Sequence, residues 1–242
     1  TMTDSAGLYD FNRFDSNLQP NVLYDIEIAL PVGYHPTLAM QGASRTADSD
    51  SQLQGTLASG VLVIEDVSVN TRSEDFSFDF GIAEPIIIGD YVWRDDNENG
   101  VQDDGAANVL AGVTVTLHDD AGVQVAQTVT DASGLYSFSS LDIAAIQPDA
   151  ALRLRIDLAS QQPLETTVGG RDTFLVPTQT GAGSTSTDND AVLINNGTVA
   201  EIALRLADAW ARNDTANDFG FVDPPLLGFK LGDYVWLHAN DD

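Results

Sequence analysis

Apolar and polar residues alternate with a period of two along most of this chain. Residues 152–158 read LRLRIDL, 113–117 VTVTL, 24–30 YDIEIAL and 201–206 EIALRL, and each places its apolar side chains on one face of a strand. FSFDFGI, residues 76–82, sets Phe76, Phe78, Phe80 and Ile82 on one face in the same way. A strand with one apolar face buries it against a second sheet, so the pattern predicts an all-β chain of antiparallel β-sandwich domains. HDDAGV (118–123) and TDASG (130–134) carry the Asp and Gly of turns. The single helical turn expected lies at 207–214, ADAWARND.

The strands belong to a repeat. TDSAGLYDFNRF (3–14) returns as TDASGLYSFSSL (130–141), DSD (48–50) as DND (188–190), DFGI (79–82) as DFGF (218–221), and IGDYVW (88–93) as LGDYVW (231–236). The offset grows from 127 to 143 residues, so the second copy holds about 16 more residues, mostly after Leu158. The order of matches divides the chain into residues 1–84, the back part of one unit; 85–224, a complete unit; and 225–242, the first strand and loop of a third. Proline at equivalent joints, Pro85 and Pro224, stiffens the passage between units. This predicts a window on a tandem, rod-like array, or else a subunit whose incomplete ends are completed by neighbouring copies.

Charge changes the picture. The chain carries 37 acidic and 10 basic residues, a net charge of −27, which excludes a nucleic-acid backbone or anionic membrane as partner and favours cations. Seven of the acidic residues are glutamate and 30 are aspartate, the carboxylate of tight turns and of calcium loops. Adaptation to a salty medium is the competing explanation, and the single lysine, Lys230, fits it equally. With no cysteine, disulfides, zinc thiolates and a thiol nucleophile are excluded. No basic and apolar leader opens the segment, and no apolar run is long enough to span a membrane, so any export signal or anchor is expected outside it. The histidines His35, His118 and His238 stand far apart outside any nucleophile or metal motif, so the chain is read as no enzyme.

The densest charge is RDDNENGVQDDG, residues 94–105, with five carboxylates. Two carboxylates about 5 Å apart repel by roughly 3 kcal/mol at an effective dielectric near 20, so the loop either splays into water or holds a cation. Written as an EF-hand-type loop, Asp95 takes position 1, Asn97 position 3, Asn99 position 5, Gly100 the sharp turn, Val101 the carbonyl at 7 and Asp103 position 9. Ala106 stands where a bidentate glutamate is expected, and Asp104 or a carboxylate of another loop is left to complete the shell. The alternative is an Asx-rich surface turn.

GDYVWRDDNENGVQDDG, followed by LAGVTVTLHDDAG, TVTDASGLYSFSSL and NDFGFV, resembles the B-type (SdrD B-like) repeats of the staphylococcal serine-aspartate repeat surface proteins, relatives of the collagen-adhesin B domains. The resemblance implies tandem prealbumin-like or Ig-like sandwiches forming an extracellular, cell-surface stalk or fibre, with Ca²⁺ bound in each copy. It implies Asp95, Asn97, Asn99 and Asp103 as ligands, and Asp90, Asp131, Asp188 and Asp190 for further sites. Asp4, Asp48 and Asp50 match the last three in the first copy. For each isolated aspartate the alternative is a turn residue capping its own backbone. His238 replaces the first ligand in the third copy. The lysine-dependent isopeptide crosslink of many collagen-adhesin domains is excluded, because residues 85–224 contain no lysine.

The function read from this is a calcium-stiffened structural repeat of an extracellular fibre, stalk or adhesin. Its partners are neighbouring repeats, other copies in a filament, and a host or matrix ligand. The rival is a carbohydrate- or protein-binding sandwich of a salt-adapted secreted protein, using the loop TQTGAGSTSTDND, residues 178–190. Asn196 and Asn213 lie in glycosylation sequons.

Overall fold

The computed structural model describes residues 1–12, 17–37, 39–40, 48–56, 60–69, 74–207 and 213–225. Most of the helical turn expected at 207–214, and the third copy from residue 226 with Lys230 and His238, lie outside the described residues. The strands in chain order are β1 (Leu23–Ala29), β2 (His35–Pro36), β3 (Gln52–Gln54), β4 (Val61–Ser68), β5 (Ile82–Ala83), β6 (Ile87–Arg94), β7 (Thr114–Asp119) and β8 (Gln124–Val129). They continue with β9 (Leu135–Ser139), β10 (Ala151–Asp157), β11 (Glu165–Val168), β12 (Arg171–Phe174), β13 (Val176–Pro177), β14 (Val192–Ile194), β15 (Val199–Arg205) and β16 (Phe219–Val222).

The period-two segments become strands because each gains both an apolar face and a paired neighbour. In β10, Leu152, Leu154 and Ile156 are buried and alternate with half-exposed Arg153 and Arg155, and in β7 buried Val115 and Leu117 alternate with half-exposed Thr114, Thr116 and His118. These strands sit inside a five-stranded sheet of order β14-β15-β10-β7-β8. A four-stranded sheet of order β13-β16-β6-β9 forms the other layer of the sandwich. Most pairs with a defined register are antiparallel, but β16 runs parallel to β6, Phe219 facing Val92 and Phe221 facing Arg94. The rest of the repeat lies between those two strands in sequence and supplies the long crossover that parallel neighbours require. Gly220 lies where a Cβ would stand 2.6 Å from Cζ2 of Trp93, so only glycine lets the indole lie across β16.

By contacts the chain forms two compact units, Thr1–Ile88 with Ser137–Leu152 and Leu204–Thr215, and Gly89–Tyr136 with Arg153–Ala203 and Ala216–Asp242. The first is cored by residues such as Leu62, Ile86, Ile88, Ile146 and Leu152, the second by Trp93, Leu117, Leu154, Ile156, Phe219 and Phe221. The alternation breaks at Glu201, which is buried in β15 where the pattern alone predicts exposure. Arg155 (2.7 Å) and Arg153 (3.1 Å) on the neighbouring strand bind its two oxygens, and this pairing makes the buried carboxylate tolerable.

The repeat holds at the level of single hydrogen bonds. The Tyr9 hydroxyl donates to Phe78 O at 2.6 Å, and the Tyr136 hydroxyl to Asn217 O at 2.6 Å. The Asp79 N–H donates to Asp50 Oδ2, and the Asp218 N–H to Asp190 Oδ2. Thr37 N–H to Gly81 O is matched by Thr178 N–H to Gly220 O, both 2.9 Å. The sheet order β1-β4-β3 of the first copy repeats β10-β15-β14 of the second.

One predicted strand is absent. Residues 74–81 are not a strand, Phe76 is 74% exposed, and only Ile82 and Ala83 pair, with β2. The counterpart β16 is held by β6 on one side and β13 on the other. Among the described residues no equivalent of β6 flanks 74–81, so apolar alternation there finds no ladder. Phe221→Ala should therefore destabilise the chain by about 3–5 kcal/mol in urea unfolding. Phe76→Ala should stay within about 0.5 kcal/mol of wild type.

Candidate functional site

The loop after β6 winds around Asp95. That carboxylate is buried, accepts the Asn99 and Gly100 N–H groups at 3.2 and 2.7 Å, and accepts the Thr178 hydroxyl at 2.6 Å. Asn97 Oδ1 accepts from Asn99 N–H at 3.0 Å and Asn99 Oδ1 from Val101 N–H at 2.7 Å, so both asparagines close Asx turns of their own backbone. Both asparagine amides donate to Asp103, at 2.9 Å from Asn97 and 3.0 Å from Asn99. Asp104 Oδ1 accepts the Asn97 N–H, but its Oδ2 is buried with no hydrogen-bond partner. Burial, then the charge of Asp95, holds the Asp104 carboxyl above the usual range, with Asp103 and Asp96 adding to it against the Asn97 N–H. Ala106 opens a short 3₁₀ turn and brings no carboxylate.

The loop at 178–190 covers this one. Besides the Thr178 contact, Gln102 N–H donates to Thr187 O at 2.8 Å, Val101 bridges to Asp188, and a Cβ on Gly100 would lie 2.6 Å from Gln179 Cγ. Asn189 is fully buried. Its amide donates to Thr178 O and Ala191 O and accepts from Gly220 N–H, pinning the loop to β16. The expansion expected as a free ligand grip therefore has its root committed to the acidic loop. Residues 179–186 are its exposed part, and they contain no aromatic side chain.

A second group of carboxylates gathers beside it. Asp90 on β6, Asp188, Asp190 and Asp218 interact electrostatically. Asp218 is completely buried with neither oxygen hydrogen-bonded, and Asp188, 5% exposed, has a buried, unpartnered Oδ1. Burial, followed by the charges of Asp90 and Asp190 and then Asp188, pushes the Asp218 pKa up to about 8; the Tyr91 backbone N–H, which falls outside hydrogen-bond geometry to either oxygen, is the one nearby group that favours the charged form. Desolvation also raises Asp90. Sequence reasoning named Asp90, Asp188 and Asp190 and missed Asp218, Thr178 and Asn189. The recurrence of Asp-Phe-Gly in both copies was the available signal for Asp218.

The first copy echoes this group. Asp48 has a buried Oδ1 without a partner, and burial with the charges of Asp79 and Asp50 pushes the Tyr9 hydroxyl up to about 12. Asp4 and Asp131 stand apart as turn residues. Both are exposed, and the Oδ1 of each accepts two N–H groups of its own turn, those of Ala6 and Leu8 and those of Ser133 and Leu135.

The donor set is entirely hard oxygen, the chemistry of Ca²⁺, and buried carboxylate oxygens without donors call for a cation or a proton. Among the described residues no three His, Asp or Glu side chains stand close enough together to hold a metal as they are. The residues match calcium in the chemistry of their oxygens and not in their spacing in this structure.

Asp218 makes this region pH-sensitive in chelator. Its pKa is raised on folding, so the folded chain binds its proton more tightly than the unfolded chain. The associated stability is full below about pH 4 and is lost as pH rises through about 8. The melting temperature in chelator should fall between about pH 5 and about pH 9, and Asp218→Asn should flatten that slope.

Residues 86–147 match the family model described as SdrD B-like domain. The chain is 32% identical over 240 residues to serine-aspartate repeat-containing protein F of Staphylococcus epidermidis, covering 99% of this chain and 12% of that protein. It is 30% identical over its full length to serine-aspartate repeat-containing protein D of Staphylococcus aureus (strain Newman), of which it spans 15%. It is 31% identical over 99% of its length to the bone sialoprotein-binding protein of Staphylococcus aureus (strain MRSA252), of which it spans 17%. The chain thus spans under a fifth of the length of each of these relatives. A solved structure, the Bacillus anthracis TIE protein, aligns over 73% of this chain and 23% of its own, with 12% identity and a TM-score of 0.31. The acidic loop after GDYVW lies within the family match: residues 86–147 are an SdrD B-like domain, and nearly the whole chain is similar to serine-aspartate repeat surface proteins.

Proposed function

We propose that this chain is a non-catalytic structural repeat of an extracellular stalk or cell-surface adhesin, stiffened by Ca²⁺. The observation that carries the reading is the set of buried carboxylate oxygens without donors at Asp104, Asp188 and Asp218. In one site Ca²⁺ is held by Asp95, Asn97, Asn99, the Val101 carbonyl, Asp103 and Asp104. In a second it is held by Asp90, Asp188, Asp190 and Asp218, and in the first copy by Asp48 and Asp50 with Asp79 in the place of Asp218. The ion supplies two positive charges among groups that otherwise repel. The chain supplies the frame: Thr178 orients Asp95, Asn189 ties the covering loop to β16, and the proline joints carry the rigidity onward. The units 1–84, 85–224 and 225–242 then act as successive segments of a rod on the cell surface, with neighbouring repeats as their first partners.

A host ligand for the protein that contains this chain is part of the same reading, supported by the name of the bone sialoprotein-binding relative. The binding-module alternative has less support, because the exposed part of the 178–190 loop is free of aromatic anchors.

Extracellular calcium modules bind with dissociation constants of roughly 10⁻⁴ to 10⁻³ M. At about ten times that concentration one site adds roughly 1.4 kcal/mol, so calcium should raise the melting temperature by about 3–6 °C over chelator. Magnesium at equal ionic strength should give little of this rise, and Asp103→Asn should reduce it. Equal melting temperatures in the two cations would leave the carboxylates as solvated surface and sink the proposal.

A further inference from the structure

Arg94, the last residue of β6, holds two segments at once. Its Nε donates to Asp96 Oδ1 at 2.8 Å, in the acidic loop, and its Nη2 donates to Asp223 Oδ2 at 2.9 Å, just beyond β16. The other Asp223 oxygen accepts the Thr166 hydroxyl at 2.7 Å. Next to this contact the Asp95 N–H donates to Phe221 O at 2.7 Å, so the first residue of the loop and the end of β16 share a backbone bond as well. Asp223 is followed by Pro224 and Pro225, which have no N–H to anchor the outgoing chain. Arg94 therefore joins the acidic loop to the root of the joint.

Both ion pairs are part-exposed, with side-chain exposures of 38% for Arg94, 52% for Asp96 and 41% for Asp223. Such pairs add little stability, so their effect lies in geometry. A planar guanidinium presents separate edges to two carboxylates at a fixed angle, which a lysine ammonium does not do. Asp96 follows Asp95 at the second, exposed position of the loop, and its carboxylate is the one that Arg94 grips. Asp95, Asp96, Arg94 and Asp223 thus form a continuous run of covalent and ion-pair contacts from the loop to the segment beyond β16.

The third copy supplies an independent observation in sequence. Leu237, His238 and Ala239 stand where the complete copy has Arg94, Asp95 and Asp96. The first cation ligand, the arginine and its loop-side carboxylate are replaced together.

Building on the calcium reading, we infer that Arg94 is a positioning residue that transmits the state of the acidic loop to the inter-repeat joint at Asp223. The contact partners are a carboxylate on each side, so the device is mechanical and has no part in ligating the ion.

Amide hydrogen exchange of the full chain tests this in chelator and in millimolar Ca²⁺, comparing wild type with Arg94→Gln and Arg94→Lys over peptides covering 95–104 and 219–227. In wild type, calcium should slow exchange in both peptides. In Arg94→Gln the loop should keep its slowing while the 219–227 peptide loses it, exchanging about threefold faster than wild type in calcium. Arg94→Lys, with charge but no fork, should fall between them. Equal calcium protection of 219–227 in wild type and Arg94→Gln would overturn the inference. So would loss of protection in both peptides of the variant, which would assign Arg94 to the loop itself. A wild-type loop protected by calcium beside an unresponsive 219–227 peptide overturns the coupling alone. A wild-type loop indifferent to calcium defeats the cation reading and the coupling with it.

Discussion

A carboxylate buried without a donor constrains this chain more than any other group does. Desolvating a carboxylate costs several kcal/mol per ion even after relaxation, and the fold does this with both oxygens of Asp218 and with single oxygens of Asp188, Asp104 and Asp48. The contrast with Glu201 and Asp95 is informative. Glu201 is equally buried, but two arginines neutralise it, and Asp95 is wrapped by two N–H groups and a hydroxyl. The chain satisfies buried carboxylates where geometry alone requires it. It leaves others unsatisfied beside the loop with calcium-ligand spacing, where the proposed ion would complete them.

The sandwich makes that arrangement possible. β6 delivers Asp90 in its middle and Asp95 just past its end, and β16 lies parallel to it, with Asp218 immediately before its first residue. The loop at 178–190 then closes over the acidic loop through Thr178, Thr187 and Asn189. Residues far apart in sequence meet because the first and last strands of one repeat are neighbours. The stretch from β6 to β16 is therefore the smallest piece that assembles the acidic region.

Much of this was legible in the sequence. Period-two alternation located β1, β7, β10 and β15, and the recurring GLY and DFG segments identified two stretches that share the Tyr9/Tyr136 and Asp79/Asp218 hydrogen bonds. Alternation misplaced residues 74–81, because an apolar face makes a strand only when a neighbour supplies the ladder, and that neighbour is not encoded locally. Asp218 was overlooked for the same kind of reason: burial of an aspartate beside two phenylalanines depends on β6 and on the loop at 188–190, more than a hundred and nearly thirty residues away respectively. Asp4 and Asp131 each accept N–H groups of their own turn, which the sequence leaves undistinguished because an Asx turn and a ligand loop draw on the same residue type.

The most direct measurement of the central claim is anomalous diffraction from crystals of this chain grown in calcium. Calcium peaks are expected about 2.3–2.6 Å from oxygens of Asp218 and Asp188, and from Asp95 and Asp103 in the acidic loop. A map with no calcium beside Asp218, its carboxyl neutral and unmoved, would contradict the claim.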